Sequence, residues 1–187
     1  QGWAAHWHAN YIRFIHDEGL ASPDHAGILR YPENGATLYY PSTWHAIAAL
    51  VMALRGIGAV ETYNLVQIGS VAVVFPLGVA ALAWLITHRR YSRPVVATSA
   101  AVAAMATALF PGLPYIEVMV AATPSAVANG LAGLGAAVVV AAVGDRRPIP
   151  AAALGLVGIG GVHPSGMVTV AVIVLFWWLF ESLWYPV

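Results

Sequence analysis

The sequence predicts an all-α integral membrane protein, with about five spanning helices and an outer loop that carries interfacial helices. Hydrophobic residues make up 60% of the 187 residues and charged residues only 9%, whereas a soluble domain carries roughly 25% charged residues. From residue 61 onward the apolar residues form long runs, and most arginines lie in the short segments between those runs. So few charges cannot cover a water-exposed surface. The expected location is therefore the cell membrane, which the chain crosses several times.

Residues 1–60 are more polar than the rest and are predicted to form a loop with interfacial helices. A stripe of apolar residues at helical spacing predicts a first helix over about residues 4–19. Proline, asparagine and glycine predict a loop over 20–40, and a second helix is expected from Pro41 to about Leu54. The first helix is too short and polar to span and is expected in the interface; the second is expected to be interfacial or re-entrant. The stripe consists of Trp7, Tyr11, Phe14 and Ile15.

Residues 61–187 are predicted to form the spanning part, because their apolar segments approach the roughly 20 residues that cross a bilayer. Pro76 lies inside the first segment and predicts a kink there. The fourth segment is short and rich in glycine, which favours a broken helix and close helix packing. The predicted spans are residues 62–87, 94–111, 125–143, 149–162 and 166–183.

The arginines set the predicted orientation. Five of the eight arginines lie in two short loops, 88–93 and 145–147, and loops of this kind stay on the cytoplasmic side. The alternation of spans then places residues 1–60, the 112–124 loop and the break at 163–166 together on the outer face. Residues 1–60 are therefore expected to be extracytoplasmic.

The composition also excludes several classes of site. The formal net charge is zero, so nothing predicts binding to nucleic acid, which needs a basic face. There is no cysteine, which excludes disulfides and thiolate metal sites, and no metal site is predicted. The chain begins at Gln1 and ends just past an apolar segment, so we interpret it as a fragment of a larger bundle.

Polar and aromatic residues at the outer membrane edge are the candidate functional residues, because polar groups there are costly unless they have a partner or a task. Tyrosine and tryptophan also favour interfaces for reasons unrelated to function, so a structural role is the alternative for each cluster. Glu117 is a candidate catalytic carboxylate, with a solvated interfacial carboxylate as the alternative. The candidate substrate-binding residues are His6, Asn10, Arg13, Tyr39, Tyr40, Trp44, His45, His163 and Ser165. Four residues from different segments are expected to line one outer cavity, namely Tyr40, His45, Glu117 and His163.

Three runs carry a resemblance to a known family. They are His8-Ala9-Asn10-Tyr11-Ile12-Arg13-Phe14-Ile15, Gly19-Leu20-Ala21-Ser22 and Tyr39-Tyr40-Pro41-Ser42-Thr43-Trp44-His45-Ala46. The chain resembles large actinobacterial membrane proteins that are similar to polyprenyl-phosphate-dependent glycosyltransferases of the GT-C fold. The similarity is strongest over residues 1–87.

The resemblance implies transfer of a sugar from a polyprenyl-phosphate donor to a cell-envelope glycan acceptor on the outer face, within the membrane lipids. It names no fixed cofactor and is compatible with a divalent cation. It also implies an acidic base in the first outer loop, just before His6, where Ala4 stands. The candidate catalytic positions are Ala4, where the acid is missing, together with His8 and Glu117. Because the acid is missing, the protein as written is expected to have weak or no transferase activity.

Two other functions remain open from the sequence. A transporter or flippase of lipid-linked precursors would use His163 at the mouth of the glycine-rich fourth span. A non-catalytic membrane scaffold would leave every histidine in an interfacial role. Polar residues confined to one face favour the transferase, whereas ionisable residues in the middle of the spans would favour the transporter.

Overall fold

The computed structural model describes residues 3–30, 38–109, 112 and 114–184. Within these residues all regular elements are helices, and one isolated β-bridge joins His25 to Leu38. The α-helices are α1 Trp3–Glu18, α2 Gly27–Arg30, α3 Thr43–Arg55, α4 Ala59–Gly69, α5 Phe75–Thr87, α6 Arg93–Ala106, α7 Tyr115–Met119, α8 Thr123–Gly144, α9 Ile149–Val162 and α10 Pro164–Trp184. A π-helix covers Ser70–Val74, and a 3₁₀ turn covers Thr107–Leu109.

Three helices of the described chain are long and apolar enough to cross a membrane: Ala59–Thr87, Thr123–Gly144 and Pro164–Leu183. They correspond to the first, third and fifth predicted spans, so the prediction of an all-α membrane protein is confirmed. The second and fourth predicted spans are shorter apolar helices, Arg93–Leu109 and Ile149–Val162, and their crossing of the bilayer stays a prediction. Residues 110 and 111 of the second segment lie outside the described residues.

The first span contains the irregularity that Pro76 predicts. The π-helix Ser70–Val74 lies directly before Phe75 and Pro76, and the N–H of Phe75 donates to the carbonyl of Ser70, five residues back. Proline has no N–H and its ring crowds the preceding turn of an α-helix. The wider π turn accommodates this change and joins α4 to α5 in one continuous helix.

Helix α8 lies at the centre of the bundle and packs against α5, α9 and α10. Its backbone approaches that of α5 at Gly78 and Gly133, where an added Cβ at either glycine would lie 3.0 Å from backbone atoms of the other helix. Small residues permit such close approach in lipid, where packing rather than the hydrophobic effect holds helices together. This crossing fixes how the first and third spans meet.

Helices α1 and α3 of the polar N-terminal region pack on each other and on α4. Their shared core contains Tyr11, Ile12 and Trp44, each at most 1% exposed. The α1 helix ends at Glu18, and the following Gly19 adopts the left-handed conformation that favours glycine just past a helix C-terminus. The predicted helices over 4–19 and Pro41–Leu54 are therefore confirmed within one or two residues at each end.

The 22 residues of α8 separate two polar ends of the bundle by about 33 Å at 1.5 Å per residue. The histidine end contains His8, His45, Glu117, Ser125, His163 and Ser165, around the beginning of α8. The arginine end contains His88, Arg89, Arg90, Gly144 and Glu181, around its last turn. The structure thus gathers the histidines of the sequence's main clusters away from the 88–93 arginines.

Candidate functional site

The first cluster of the histidine end is a buried pair of histidines. His8 Nδ1 lies 2.9 Å from His45 Nε2, and the two side chains are 4% and 0% exposed. His8 lies on α1 and His45 on the first turn of α3, so the pair forms only because these helices pack side by side. One ring donates and the other accepts, which requires that one of the two facing nitrogens carries a proton and the other does not.

Burial keeps both rings neutral. The pKa of His8 is lowered to about 4, mainly by removal from water and to a smaller extent by the nearby His163. Burial holds the pKa of His45 well below its usual range, and His8 adds to this shift. The backbone of Pro41 opposes this shift as the smallest of the three causes. Both rings are therefore uncharged at neutral pH.

The second cluster is centred on Glu117 of α7. Asn129 Nδ2 lies 3.0 Å from each carboxylate oxygen of Glu117 and donates to them, and the Ser125 hydroxyl donates to the same carboxylate. Thr169 donates to Asn129 Oδ1 at 2.6 Å. Helices α7, α8 and α10 thus meet through polar side chains in an otherwise apolar bundle.

A chain of hydrogen bonds connects this carboxylate to His163. The Ser125 hydroxyl lies 2.8 Å from the Ser165 hydroxyl, which lies 2.9 Å from His163 Nδ1. The chain contains three links but only two hydroxyl protons, so a third proton must come from one of its ends. That proton sits either on His163 Nδ1, with Glu117 ionised, or on Glu117, with Nδ1 accepting from the Ser165 hydroxyl and from its N–H at 3.3 Å.

The relay can therefore move a proton between His163 and Glu117 while every heavy atom stays in place. When His163 Nε2 takes up a proton, the proton on Nδ1 can pass through the Ser165 and Ser125 hydroxyls to the Glu117 carboxylate. Burial lowers the pKa of His163 and the charge of Glu117 opposes that shift. The two clusters also interact, because His163 is close enough to lower the pKa of His8.

A tight turn presents Glu117 to the beginning of α8. Ala121 has φ 61°, a left-handed conformation that costs roughly 1–2 kcal/mol for a residue with a Cβ. The next N–H, that of Ala122, donates to the Glu117 carbonyl at 2.8 Å. This turn folds α7 back over α8, so that Glu117 and Ser125 meet although their side chains belong to different helices.

A further buried contact at this end was absent from the sequence prediction. The Tyr63 hydroxyl lies 2.6 Å from the Thr123 hydroxyl, which donates to Gln67 Oε1 at 3.4 Å. The Tyr63 ring stacks on His8, with centroids 6.4 Å apart. These residues attach α4 to α8 beneath the histidine pair.

Several predicted residues lie together at the histidine end. Tyr40 contacts His8 and His45 through ring faces and edges, at centroid distances of 6.0 and 5.8 Å. Trp44 is buried against the same two rings. The cavity expected to include Tyr40, His45, Glu117 and His163 stays a prediction, since the structure gives the four as two adjoining clusters.

Other predicted substrate-binding residues lie elsewhere. The side chains of His6 and Tyr39 are exposed. Asn10 and Arg13 line a separate open cavity of about 730 Å³ between α1 and α4. Arg13 is paired there with Asp17 at 3.3 Å.

Ala4 lies in a cavity of about 170 Å³ beside the histidine pair. The cavity is lined by Ala4, Trp7, His8, Arg30, Leu38 and Tyr40. It combines aromatic faces with a guanidinium and a histidine, which are groups that bind sugars and phosphates. The prediction that position 4 shares a helix face with His8 is confirmed, as expected for residues four apart.

The described residues do not supply a ligand set for a metal ion. Across residues 3–30, 38–109, 112 and 114–184, no group of three or more histidines and carboxylates converges on one point. Divalent cations are usually held by several oxygen ligands.

Comparison with known proteins gives a family but no described relative. No curated protein matches the chain, and no solved structure matches it. One family, described as a family of unknown function and labelled DUF6541, matches residues 1–186. Because that match covers nearly the whole sequence, the chain belongs to the DUF6541 family.

Proposed function

We propose that this protein is a membrane glycosyltransferase of the GT-C type. It would move a sugar from a polyprenyl-phosphate donor to a cell-envelope glycan on the outer face. The cavity between Ala4, His8, Arg30 and Tyr40 carries this proposal. Its aromatic wall offers a stacking surface for a sugar ring. The Arg30 guanidinium offers donors for a phosphate.

The proposed reaction is a direct displacement at the anomeric carbon. The acceptor hydroxyl loses its proton to a base as its oxygen forms a bond to that carbon. The bond from the same carbon to the phosphate oxygen breaks, and the electron pair leaves with the polyprenyl phosphate. Arg30 stabilises the charge that develops on the leaving phosphate.

Among the residues that the structure describes, the cavity lacks an effective general base. A general base is most effective with a pKa near the operating pH, and burial lowers the pKa of His8 to about 4. His8 is therefore a weak base. A carboxylate in place of Ala4 would enter the same cavity, and its charge would raise the pKa of His8.

The test is the substitution Ala4→Asp in the full-length protein, with Ala4→Asn as the matched, non-ionising control. General bases contribute typically about 10²–10⁴-fold, so Ala4→Asp should raise sugar transfer by that order and Ala4→Asn should leave it low. The measurement follows transfer from a polyprenyl-phosphate sugar in membranes. Full activity with Ala4 in place would move the base to Glu117 or Asp17. If Asp and Ala forms are equally inactive, a transporter or scaffold function replaces the proposal.

The proposal also requires the histidine end to face outward, and five helices to cross the bilayer. The sequence has no cysteine, so single cysteines can be labelled cleanly. Tyr39 is 75% exposed and Ser92 is exposed, so a cysteine at either position is accessible to a reagent. Ser42 is unsuitable for labelling because it is buried and donates to the Ala21 carbonyl. In intact cells an impermeant thiol reagent should label Tyr39→Cys and spare Ser92→Cys. The reverse pattern would mean that the topology is inverted.

A further inference from the structure

A second polar cavity lies at the arginine end, about 33 Å from the histidine pair along α8. It has a volume of about 220 Å³ and lies between the last turns of α5, α8 and α10. Its polar wall contains His88, Arg89, Arg90 and Glu181, and its apolar wall includes Val140 and Trp177. The proposed transferase chemistry uses none of these residues.

The charges of this cavity leave one cation available to a ligand. Arg90 and Glu181 form an ion pair that joins the α5–α6 loop to α10, so their charges cancel. Arg89 makes no ion pair with any residue that the structure describes. Once Arg90 is paired with Glu181, the Arg89 guanidinium is left as a cationic group of this cavity, and it suits a singly charged anion.

The position of Gly144 leaves room for the Arg89 side chain. A Cβ at residue 144 would lie 3.1 Å from both terminal nitrogens of the Arg89 guanidinium. The guanidinium therefore lies against the backbone at the end of α8, with Gly144 leaving that space open. His88 Nδ1 donates to the Leu85 carbonyl at 2.7 Å, which holds the neighbouring ring beside the cavity.

We propose that this cavity binds the phosphodiester headgroup of an anionic membrane lipid. Arg89 donates to the phosphate oxygens through its planar guanidinium, whose fork of N–H donors matches the geometry of a phosphate. The lipid chains lie along the apolar wall formed by Val140 and Trp177. Tryptophan prefers this depth, at the boundary between headgroups and hydrocarbon.

The location favours a lipid over a free anion. The cavity lies at the end of a helix whose length matches the bilayer, so its mouth is level with lipid phosphates. Basic pockets between spanning helices on the cytoplasmic side bind anionic headgroups, and each arginine near that surface contributes about 1 kcal/mol. A free phosphate would gain the same contact with Arg89 but nothing from the apolar wall.

The experiment titrates the purified protein in detergent with phosphatidylglycerol, and native mass spectrometry measures the bound lipid. Arg89→Gln should weaken binding about fivefold, the equivalent of one arginine contact. Arg93→Gln, which removes an exposed arginine at the first position of α6, outside the cavity, should leave binding unchanged. Glu181→Gln removes the competing carboxylate and should strengthen binding.

Three outcomes would overturn the proposal. Equal weakening by Arg89→Gln and Arg93→Gln would mean that the lipid responds to diffuse charge and not to this cavity. Equal affinity for phosphatidylcholine, which has no net charge, would remove the anionic selectivity. Displacement of bound lipid by millimolar inorganic phosphate would assign the site to a free anion. Circular dichroism of each variant shows that the fold is retained, and the gain expected from Glu181→Gln does not depend on Arg89→Gln being stable.

Discussion

The histidine end and the arginine end handle polar groups at a membrane surface in opposite ways. At the histidine end, burial keeps His8 and His45 neutral, and hydrogen bonds join polar side chains from several helices. At the arginine end, Arg90 is paired with Glu181, and Arg89 makes no ion pair with the residues that the structure describes. The first end can change its protonation state and so can take part in proton transfer. The second can only attract, which suits binding.

Acidification separates the two ends most strongly. The pKa of His8 is about 4 in the folded protein against 6.5 for an ordinary histidine, so the unfolded chain binds the proton more readily. Stability from this group is complete above pH 6.5 and is lost as the pH falls toward 4, by on the order of 3 kcal/mol. The free energy of unfolding in bicelles, measured against pH, should show this fall.

The variant His8→Asn keeps a side chain that can hydrogen-bond to His45 but cannot be protonated, so it should reduce the slope of the pH profile between 6.5 and 4, where His45 still contributes. His6→Asn, at an exposed position of the same helix, is the control and should keep the wild-type slope. An unchanged slope in His8→Asn would mean that His8 is accessible to water, and the contrast between the two ends would then disappear.

The crossing of α5 and α8 should couple the two ends. At Gly78 a new Cβ would lie 3.0 Å from the Leu134 backbone nitrogen, whereas nothing lies within 4 Å of the corresponding position at Gly155. Gly78→Ala should therefore destabilise the protein by about 1–3 kcal/mol. Gly155→Ala should be neutral or stabilise it by about 0.5–1 kcal/mol, since alanine is the better helix former. Equal effects in a thermal unfolding series would mean that the helices do not approach so closely.

The smallest expected effect is on the relay at the histidine end. The charge of Glu117 raises the pKa of His163 against the effect of burial, so Glu117→Gln should lower that pKa. Both side chains are partly exposed, so solvent screens the interaction and the change in stability should be small. NMR titration of labelled histidine measures it, with Glu61→Gln, at an exposed position on α4, as the control. A rise in the pKa of His163 would contradict the direction of the relay.

The sequence predicted the helices and most of the aromatic cluster because these depend on local patterns. Helical spacing located α1, a proline located the start of α3, and the paired arginines located the loop after α5. The histidine pair required knowledge that α1 and α3 lie side by side, which no spacing within either helix contains. His6 and Tyr39 were predicted to bind substrate on residue type alone, and both are exposed.

The relay was only half visible in the sequence. Glu117, His163 and Ser165 were predicted as site residues because they interrupt apolar segments. Ser125 and Asn129 were not predicted, because they lie inside the third predicted span. A signal for them exists: they are four residues apart, so they share one helix face, and polar residues in a span need partners. Thr123, Tyr63 and Gln67 escaped for the same reason, since each lies within or beside an apolar run.

The π-helix between α4 and α5 makes the first span tolerant of one change in its length. A π turn inside an α-helix holds one residue more than the α-helical path it replaces. Loss of a single residue from Ser70–Val74 would thus leave Tyr63 and Gly78 facing their present neighbours. Loss of a residue anywhere else between them would rotate one half of the span by about 100° relative to the other. The π-helix is therefore the one segment of this span where a residue can be lost without rotating one half of the helix against the other. It lies between Tyr63 at the histidine end and Gly78 at the crossing with α8.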